Sequence, residues 1–362
     1  MAAGSIASIE SQVLELELTE PFGIAGGSQE VAAMVLVRLT LEDGTVGWGE
    51  AAPLPAYNGE RVEHALDAIE AARTRLVGAN ARAWRQRALD VREPTRASAS
   101  ARCALETALV DALARQQGVS LYDWFGGHAP ARLVTDVTIP IVSPEAAQRA
   151  AARWWSLGFR SLKVKVGRDA DLERLLAVHA GAPAASLLLD ANAGLRAEEA
   201  IELLDVLGRH GVSVALFEQP VAPHDWAGLE RVASRVRVAL DESVVTARDA
   251  AQAAQRLGAP HVINVKLMKS GIVEALDIVA VARAGGMSLM IGGMLESSLA
   301  MSASACFAAG VGGFEFADLD TPLFILRSPF SGGFVLHGDR VDVATIESGH
   351  GVVLDSERAE PR

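Results

Sequence analysis

Eight short β-rich segments recur along residues 134–318, with helical stretches between them. The segments end at intervals of 23 to 28 residues, which suits a strand followed by a helix. Most are runs of Val, Ile and Leu, as in parallel sheets buried on both faces. Eight such units in one domain predict an α/β fold of the TIM-barrel type. The predicted strands are 134–140, 161–166, 186–190, 213–218, 237–241, 262–266, 288–291 and 313–318.

Residues 1–130 have a different pattern, which is typical of an α+β region. A turn signal, Glu42-Asp-Gly-Thr45, connects two of its predicted strands. A further hairpin is predicted at 334–343, packed against the N-terminal region. We therefore predict three parts: 1–130, the barrel at 131–325, and a returning segment at 326–362. The predicted elements of the first part are strands 13–18, 34–41 and 46–50 and helices 62–76 and 101–117.

Composition excludes several classes of protein. The chain has 362 residues and a net charge of −12, without a run of Lys or Arg, which argues against nucleic acid or anionic lipid as a partner. No apolar run reaches the roughly 18 residues of a membrane span, and the first residues carry no export signal. Cys103 and Cys306 are too far apart in the chain to suggest a disulfide framework. We expect a cytoplasmic protein.

The distribution of lysine is informative, because only four of the 33 basic residues are Lys. They fall in two short stretches, as Lys163 and Lys165 and as Lys266 and Lys269. Arg cannot give up its proton in a protein, whereas Lys can once its environment lowers its pKa. Codon bias would explain the scarcity of Lys but not this grouping. The pattern therefore indicates lysines retained for proton transfer.

Ionisable residues lie at the ends of successive predicted strands, where barrels carry their catalytic groups. Asp190, Glu218 and Asp241 end the third, fourth and fifth strands, and Glu296 follows the seventh. Three neighbouring carboxylates need a cation, and hard oxygen ligands suit Mg²⁺. The alternative is that each carboxylate caps the helix that follows it.

The ring of eight strands also predicts which groups face each other. Lys163 and Lys165 share one face of the second strand, and the sixth strand, with Lys266, lies opposite. Asp318 and Asp320 on the eighth strand lie opposite the fourth, unless they are only loop or cap residues. A metal would then hold a substrate carboxylate while two lysines act on the adjacent carbon, and we expect the metal to lower their pKa values. The two aspartates would hold a positive group of the substrate.

Six motifs at these positions resemble the enolase superfamily, in its muconate-lactonizing-enzyme subgroup, and the resemblance covers nearly the whole chain. They are Lys163-Val-Lys165, Leu189-Asp-Ala-Asn192, Phe217-Glu-Gln-Pro220, Ala239-Leu-Asp-Glu-Ser243, Asn264-Val-Lys-Leu-Met-Lys269 and Gly293-Met-Leu-Glu-Ser297.

This resemblance implies a (β/α)7β barrel with an α+β capping domain built from the N-terminal region and the C-terminal tail. It also implies an enzyme with one Mg²⁺ per subunit and 1,1-proton transfer through a metal-stabilised enediolate. The implied residues are the metal ligands Asp190, Glu218 and Asp241, the acid/base pair Lys165 and Lys266, and Lys163 beside the substrate carboxylate.

Within the subgroup, Asp318-Leu-Asp320 is similar to the Asp-x-Asp signature of the dipeptide epimerases, which binds the free ammonium group of a dipeptide. The resemblance also implies substrate contacts for Thr138 and Met294, and we add Glu296 to this set. The loop at 21–28 has no cation to meet an anionic side chain, so we expect dipeptides with neutral or apolar side chains. Whether the subunits form a homo-oligomer is left open.

Two alternatives stand beside this interpretation. An o-succinylbenzoate synthase or N-acylamino-acid racemase of the same subgroup would act on substrates without an ammonium group, for which Asp318 and Asp320 are unfavourable. A barrel retained only for binding would lack catalytic groups, and none of the motifs is missing.

Overall fold

The computed structural model describes residues 4–24, 27–127, 132–167 and 171–355. The N-terminal region is a three-stranded antiparallel sheet in the order β1-β2-β3, with helices packed against it. All five elements predicted here are confirmed, with β1 and β2 longer than expected. The elements are β1 (Ile6–Ile24), β2 (Gly27–Leu41), β3 (Val46–Ala51), α1 (Pro55–Asn58), α2 (Val62–Leu76), a 3-10 turn (Ala81–Ala83), α3 (Trp84–Val91), α4 (Ala99–Gln117) and α5 (Leu121–Trp124).

Helix α4 packs closely on β3 because two strand positions are glycine. A Cβ on Gly49 would lie 2.0 Å from the carbonyl oxygen of Ala104, and one on Gly47 would lie 2.1 Å from that of Ala108. Any side chain at these positions would push the helix away from the sheet. The close contact fixes β3, whose C-terminal end leads towards the barrel.

The second region is an eight-stranded parallel sheet whose strands follow one another in chain order. A parallel bridge between Thr135 and Ala317 joins its first strand to its last. Each predicted strand segment contains a strand of this sheet, and the (β/α)7β architecture is confirmed. The elements are β4 (Arg132–Val134), β5 (Val137–Ile139), α6 (Pro144–Ser156), β6 (Ser161–Lys165), α7 (Asp171–Gly181), β7 (Ser186–Asp190), α8 (Ala197–Arg209), β8 (Val214–Glu218), α9 (Trp226–Ala233), β9 (Val238–Leu240), α10 (Ala247–Arg256), β10 (Val262–Val265), α11 (Leu267–Ser270), α12 (Ile272–Ala284), β11 (Ser288–Ile291), α13 (Ser298–Val311), β12 (Phe314–Ala317) and a 3-10 turn (Thr321–Phe324).

Side chains fill the interior of the barrel, so it is a packed core and not a pore. Five buried apolar residues from successive strands form this cluster: Leu188, Leu216, Ala239, Val262 and Met290. The polar groups at the strand ends therefore lie next to a layer of packed apolar side chains.

The C-terminal segment differs from the prediction in one respect. A hairpin is present, but it pairs with β4 at the start of the barrel region and not with the N-terminal sheet. The segment at 134–140 is accordingly split into β4 and β5, because Arg132–Val134 pairs with the hairpin. The elements are β13 (Phe330–Gly332), β14 (Val335–His337), β15 (Arg340–Asp342) and β16 (Val352–Leu354).

The other C-terminal strands do contact the N-terminal sheet. Phe330 and Val352 lie in one apolar cluster with Leu16 and Met34. The predicted boundary at 130 falls outside the described residues, so the three-part division stays a prediction. Within the described ranges, no helix is long and apolar enough to cross a membrane.

Candidate active site

The parallel register brings the predicted residues of adjacent strands side by side. Lys165, the last residue of β6, lies opposite Asp190, the last residue of β7, and Asp190 lies opposite Glu218, the last residue of β8. Asp241 and Lys266 directly follow β9 and β10. All five side chains are buried. None of the three carboxylates is the N-cap of the helix that follows, which rejects the capping alternative.

Lys163 lies at the centre of the charged groups. Its Nζ is 3.0 Å from Asp190, 2.8 Å from Glu218 and 2.7 Å from Asp318. Burial lowers the pKa of Lys163, but these carboxylates raise it well above its ordinary value. Lys163 therefore stays a cation and is suited to binding an anion, not to accepting a proton.

The two other barrel-mouth lysines reach the carboxylates from either side. Lys165 Nζ donates to Asp190 Oδ2 at 2.6 Å and to Asn192 Oδ1 at 3.1 Å. Lys266 Nζ donates to Asp241 Oδ2 at 2.7 Å and lies 3.9 Å from Glu218. Strands β6 and β10 are four apart in the sheet order, as the prediction of opposed lysines requires.

The expected lowering of the lysine pKa is not seen at Lys266. Burial lowers the pKa of this amine, but the carboxylates of Asp241 and Glu218 raise it by more than burial lowers it. The net shift of the pKa is therefore upward. The same charges act in reverse on Asp190, where burial raises the pKa and the lysines Lys163 and Lys165 more than offset that effect. The prediction assumed a bound metal charge, whereas the protein groups alone stabilise the ammonium form.

Asp190, Glu218 and Asp241 fit a hard divalent cation by their chemistry, since they are three buried carboxylates from neighbouring strands. Glu242 follows Asp241 in the chain, and its Oε2 atom is buried and has no hydrogen-bond partner among the described residues, so acceptor capacity remains here. In the described ranges, a different group has its carboxylate oxygens at metal-ligand spacing, namely Asp136 with Asp318 and Asp320. We favour the strand-end set because its three carboxylates lie at the ends of the adjacent strands β7, β8 and β9, where Gln219, Asn264 and Lys269 hold two of them.

The aspartates of the last strand lie together with the first strand. Asp318 directly follows β12, and Asp320 Oδ2 accepts a hydrogen bond from the backbone N–H of Thr138 in β5. Asp320 is the N-cap residue of the 3-10 turn, but its side chain makes no cap hydrogen bond. Burial and then Asp318 raise the pKa of Asp320 to about 7. The loop-cap alternative therefore does not account for this pair.

Seven of the predicted site residues line one cavity, and the N-terminal region covers it with Leu54 and Tyr57. The predicted metal ligands Asp190, Glu218 and Asp241 are not among its lining residues. Lys266 Nζ lies 5.6 Å from the centre of the Tyr57 ring, and the Tyr57 hydroxyl is 3.5 Å from Asp241 Oδ1. The cavity is lined by Leu54, Tyr57, Thr138, Lys163, Lys165, Asn192, Lys266, Gly293, Met294, Leu295, Asp318, Asp320 and Thr321.

Glu296 is not part of this lining. Its carboxylate accepts a hydrogen bond from the backbone N–H of Met294 at 2.6 Å, inside the loop that follows β11. Burial raises the pKa of Glu296 to about 8. The side chain orders the loop that carries Met294, so the predicted substrate contact of Glu296 has no support in the geometry.

Sequence reasoning missed several residues that hold the site together. Lys269 Nζ donates to Asp241 Oδ1 and to the carbonyl of Asp241, both at 2.7 Å. Gln219 Oε1 accepts from the backbone N–H groups of Asp241 and Ser243, each at 3.1 Å. Gln219 has φ 33° and Asn192 has φ 42°, so both strand ends are strained next to the site. The scarcity of lysine was a signal for Lys269, but Tyr57 carried none.

The comparisons with known proteins agree with this geometry. Residues 145–359 match the family model described as enolase C-terminal domain-like, and residues 8–126 match the N-terminal domain of the mandelate racemase / muconate lactonizing enzyme family. An aromatic dipeptide epimerase from Herpetosiphon aurantiacus is 45% identical, over 97% of this chain and 99% of its own. An L-Ala-D/L-Glu epimerase from Bacillus subtilis is 35% identical, over 93% of this chain and 94% of its own.

Solved structures extend the similarity to the whole fold. The dipeptide epimerase from Enterococcus faecalis in complex with Mg and the dipeptide L-Leu-L-Tyr has a TM-score of 0.90 and 30% identity. The superposition covers 96% of this chain and 99% of that one. The chain belongs to the mandelate racemase / muconate lactonizing enzyme family of the enolase superfamily.

Proposed function

We propose that this protein is a Mg²⁺-dependent epimerase of dipeptides, which inverts the α-carbon next to the C-terminal carboxylate. The observation that carries the proposal is the lining of a single cavity by both Lys165 and Lys266 and by the Asp318/Asp320 pair. Two opposed lysines suit proton transfer at one carbon, and two carboxylates beyond them suit an ammonium group. The epimerases among the relatives support the same activity.

Asp190, Glu218 and Asp241 would hold one Mg²⁺ per subunit. When bound, the ion supplies positive charge that offsets these carboxylates and the charge that develops on a substrate carboxylate during proton removal. Lys269 and Gln219 hold Asp241 in place, and Asn264 Nδ2 donates to Glu218 Oε1 at 2.8 Å. These contacts fix the ligand side chains before any ion arrives.

The two lysines carry out the proton transfer in this proposal. One lysine, as the neutral amine, takes the α-proton, and the C–H electron pair passes into the carboxylate group as an enediolate. The other lysine, as the ammonium, returns a proton to the opposite face of the carbon, so the configuration inverts. Lys163 remains a cation throughout and holds the substrate carboxylate.

The cavity lining favours dipeptides with neutral or apolar side chains. Leu54, Tyr57, Met294 and Leu295 are the apolar residues of the lining, and no Arg lines it in the described ranges. Gly23, at the loop of residues 21–28, approaches the barrel near Ile141, while Ala25 and Gly26 lie outside the described residues. The three lysines of the lining are already paired with carboxylates, so an anionic side chain would lose its water without gaining an unpaired cation.

A comparison of free and N-acylated substrates tests the proposal. The protein with Mg²⁺ should convert L,L-dipeptides such as L-Ala-L-Phe to the L,D form, and should convert L-Ala-L-Glu more slowly. N-acetylation removes the ammonium charge and leaves two carboxylates facing a neutral amide. N-acetyl-L-Ala-L-Phe should therefore react more slowly than L-Ala-L-Phe, by a factor of about ten or more. Chiral chromatography of the products gives both rates.

The opposite ranking would contradict the proposal. Faster racemisation of N-acetyl or N-succinyl amino acids would assign the chain to the N-acylamino-acid racemases. Elimination of water to form o-succinylbenzoate would assign it to the o-succinylbenzoate synthases. EDTA serves as the control, because the proposed reaction should stop with EDTA and resume with excess Mg²⁺.

A further inference from the structure

Asp136 is a buried carboxylate that the functions assigned above do not use. It lies between Thr135, which bridges to Ala317, and Val137, the first residue of β5. Its backbone N–H donates to the carbonyl of Ala317 at 2.9 Å, at the seam where the barrel closes. This seam places Asp136 beside the residue that follows Ala317, which is Asp318.

The three carboxylates of Asp136, Asp318 and Asp320 form a compact group. One oxygen from each lies within 4.8 Å of the others, and all three side chains are more than nine-tenths buried. In the described part of the chain, Lys163 is the only cation in an ion pair with this group, and it is shared with Asp190 and Glu218. The group therefore has more negative charge than its one shared lysine balances.

Three oxygens of this group have no hydrogen-bond partner among the described residues. They are both carboxylate oxygens of Asp136 and Oδ1 of Asp320. A buried carboxylate oxygen without a partner is costly, and a fold that keeps several of them in one place gains most from a cationic donor. A substrate ammonium group bound at Asp318 and Asp320 would bring a positive charge close to these oxygens.

We propose that Asp136 is a third carboxylate of the site that binds the substrate ammonium group, and that it helps to select dipeptides with a free N-terminus. This inference rests on the proposed function. Asp136 does not line the cavity, whereas Asp318 and Asp320 do, so it acts as a positioning residue. Its negative charge adds to the attraction that Asp318 and Asp320 exert on the ammonium group.

The pKa of Asp136 in the free protein agrees with a carboxylate group that binds a cation. Burial and then Asp318 raise the pKa of Asp136 well above its ordinary value, although Lys163 opposes the shift. Asp320 and Glu218 raise the pKa further. A bound ammonium group would favour the ionised form, so binding of a free dipeptide should release protons.

The test compares wild type with Asp136→Asn, which keeps the shape and removes the charge. The ratio of kcat/KM for L-Ala-L-Phe to that for its N-acetyl form should fall about tenfold to a hundredfold. The loss should appear in KM for the free dipeptide, with kcat nearly unchanged, because Asp136 acts on binding and not on proton transfer. Asp136→Ser, shorter and also neutral, should show the same loss.

Two further measurements separate this role from a structural one. The melting temperature of Asp136→Asn should not fall, since the substitution relieves repulsion among buried carboxylates. Calorimetry in buffers of different ionisation enthalpy should show fewer protons released on binding than in wild type. Asp277→Asn makes the same charge change at an exposed position of α12 and should leave the ratio unchanged.

The inference is overturned if Asp136→Asn keeps the wild-type ratio within about twofold, well below the loss expected for a charged hydrogen bond. It is also overturned if Asp136→Asn abolishes Mg²⁺ binding while Glu218→Gln retains it, because the group would then be a metal site. A wild-type protein that converts no free dipeptide contradicts the proposed function and this inference together. A wild-type protein that does, beside an unchanged variant, contradicts this inference alone.

Discussion

At the scale of single residues, the four lysines connect the charged groups of the site. All four lie at the mouth of the barrel, and each makes an ion pair with a carboxylate that follows or ends a strand. The sequence predicted roles for three of them, because the use of Arg at all other basic positions shows that a positive charge alone does not require Lys. It gave no role to Lys269, because that role depends on a contact with Asp241 that only the folded chain makes.

The proposed metal ligands can be tested one residue at a time. Glu218→Gln replaces an anionic ligand by a neutral one and keeps an oxygen for the hydrogen bond from Asn264. Mg²⁺ affinity should fall about tenfold or more, as measured by isothermal titration calorimetry. Glu347→Gln, at an exposed position, is the matched control. Wild-type affinity in Glu218→Gln would contradict the assignment of this ligand.

At the scale of elements, the sequence predicted the strands better than their partners. Eight strands were predicted correctly because each is a local run of apolar residues between helical stretches. The C-terminal hairpin was predicted to pack against the N-terminal region, and its pairing with β4 was not foreseen, because strand pairing depends on residues far apart in the chain, here Leu133 with Val341. Leu54 and Tyr57, which cover the cavity, were missed for the same reason, since Tyr57 contacts Lys266 only in the folded protein.

The junction between β3 and α13 predicts a pH-dependent stability. Glu50 of β3 is buried and accepts hydrogen bonds from the N–H and the hydroxyl of Ser297, the N-cap of α13. Burial raises the pKa of Glu50 to about 7 in the folded protein, above its ordinary 4.5. The folded state thus holds this proton more tightly than the unfolded state, and the stability that it contributes is lost as pH rises through about 7.

Glu50→Gln should therefore raise the melting temperature at pH 8, where wild type carries a buried charge. At pH 4, below both pKa values, the two proteins should melt within a few degrees of each other. Differential scanning calorimetry across this range measures the difference. A variant that is less stable than wild type at pH 8 would show that the carboxylate of Glu50 stabilises the junction as an anion.

At the scale of the whole molecule, the site belongs to both regions of the fold. The barrel supplies the lysines and carboxylates, and the N-terminal region closes the cavity with Leu54 and Tyr57. The Met294 loop, which joins β11 of the barrel to α13, is bound to the N-terminal region by the hydrogen bonds from Ser297 to Glu50. The proposed substrate would thus be enclosed between Leu54 and Tyr57 on one side and the lysines and carboxylates of the barrel on the other. Electrostatic interactions are stronger in such an enclosed site than in water.

The central claim is that two lysines exchange one proton at the α-carbon next to the C-terminal carboxylate. The direct test is to incubate an L,L-dipeptide with the protein and Mg²⁺ in D₂O and follow deuterium at that carbon by NMR. Wild type should incorporate one deuterium per molecule as the L,D form appears. Lys165→Arg and Lys266→Arg should each stop epimerisation, since Arg cannot act as a base, while exchange persists only in the diastereomer that faces the remaining lysine. Epimerisation at wild-type rates in both variants, or epimerisation without deuterium uptake, would contradict the two-lysine account.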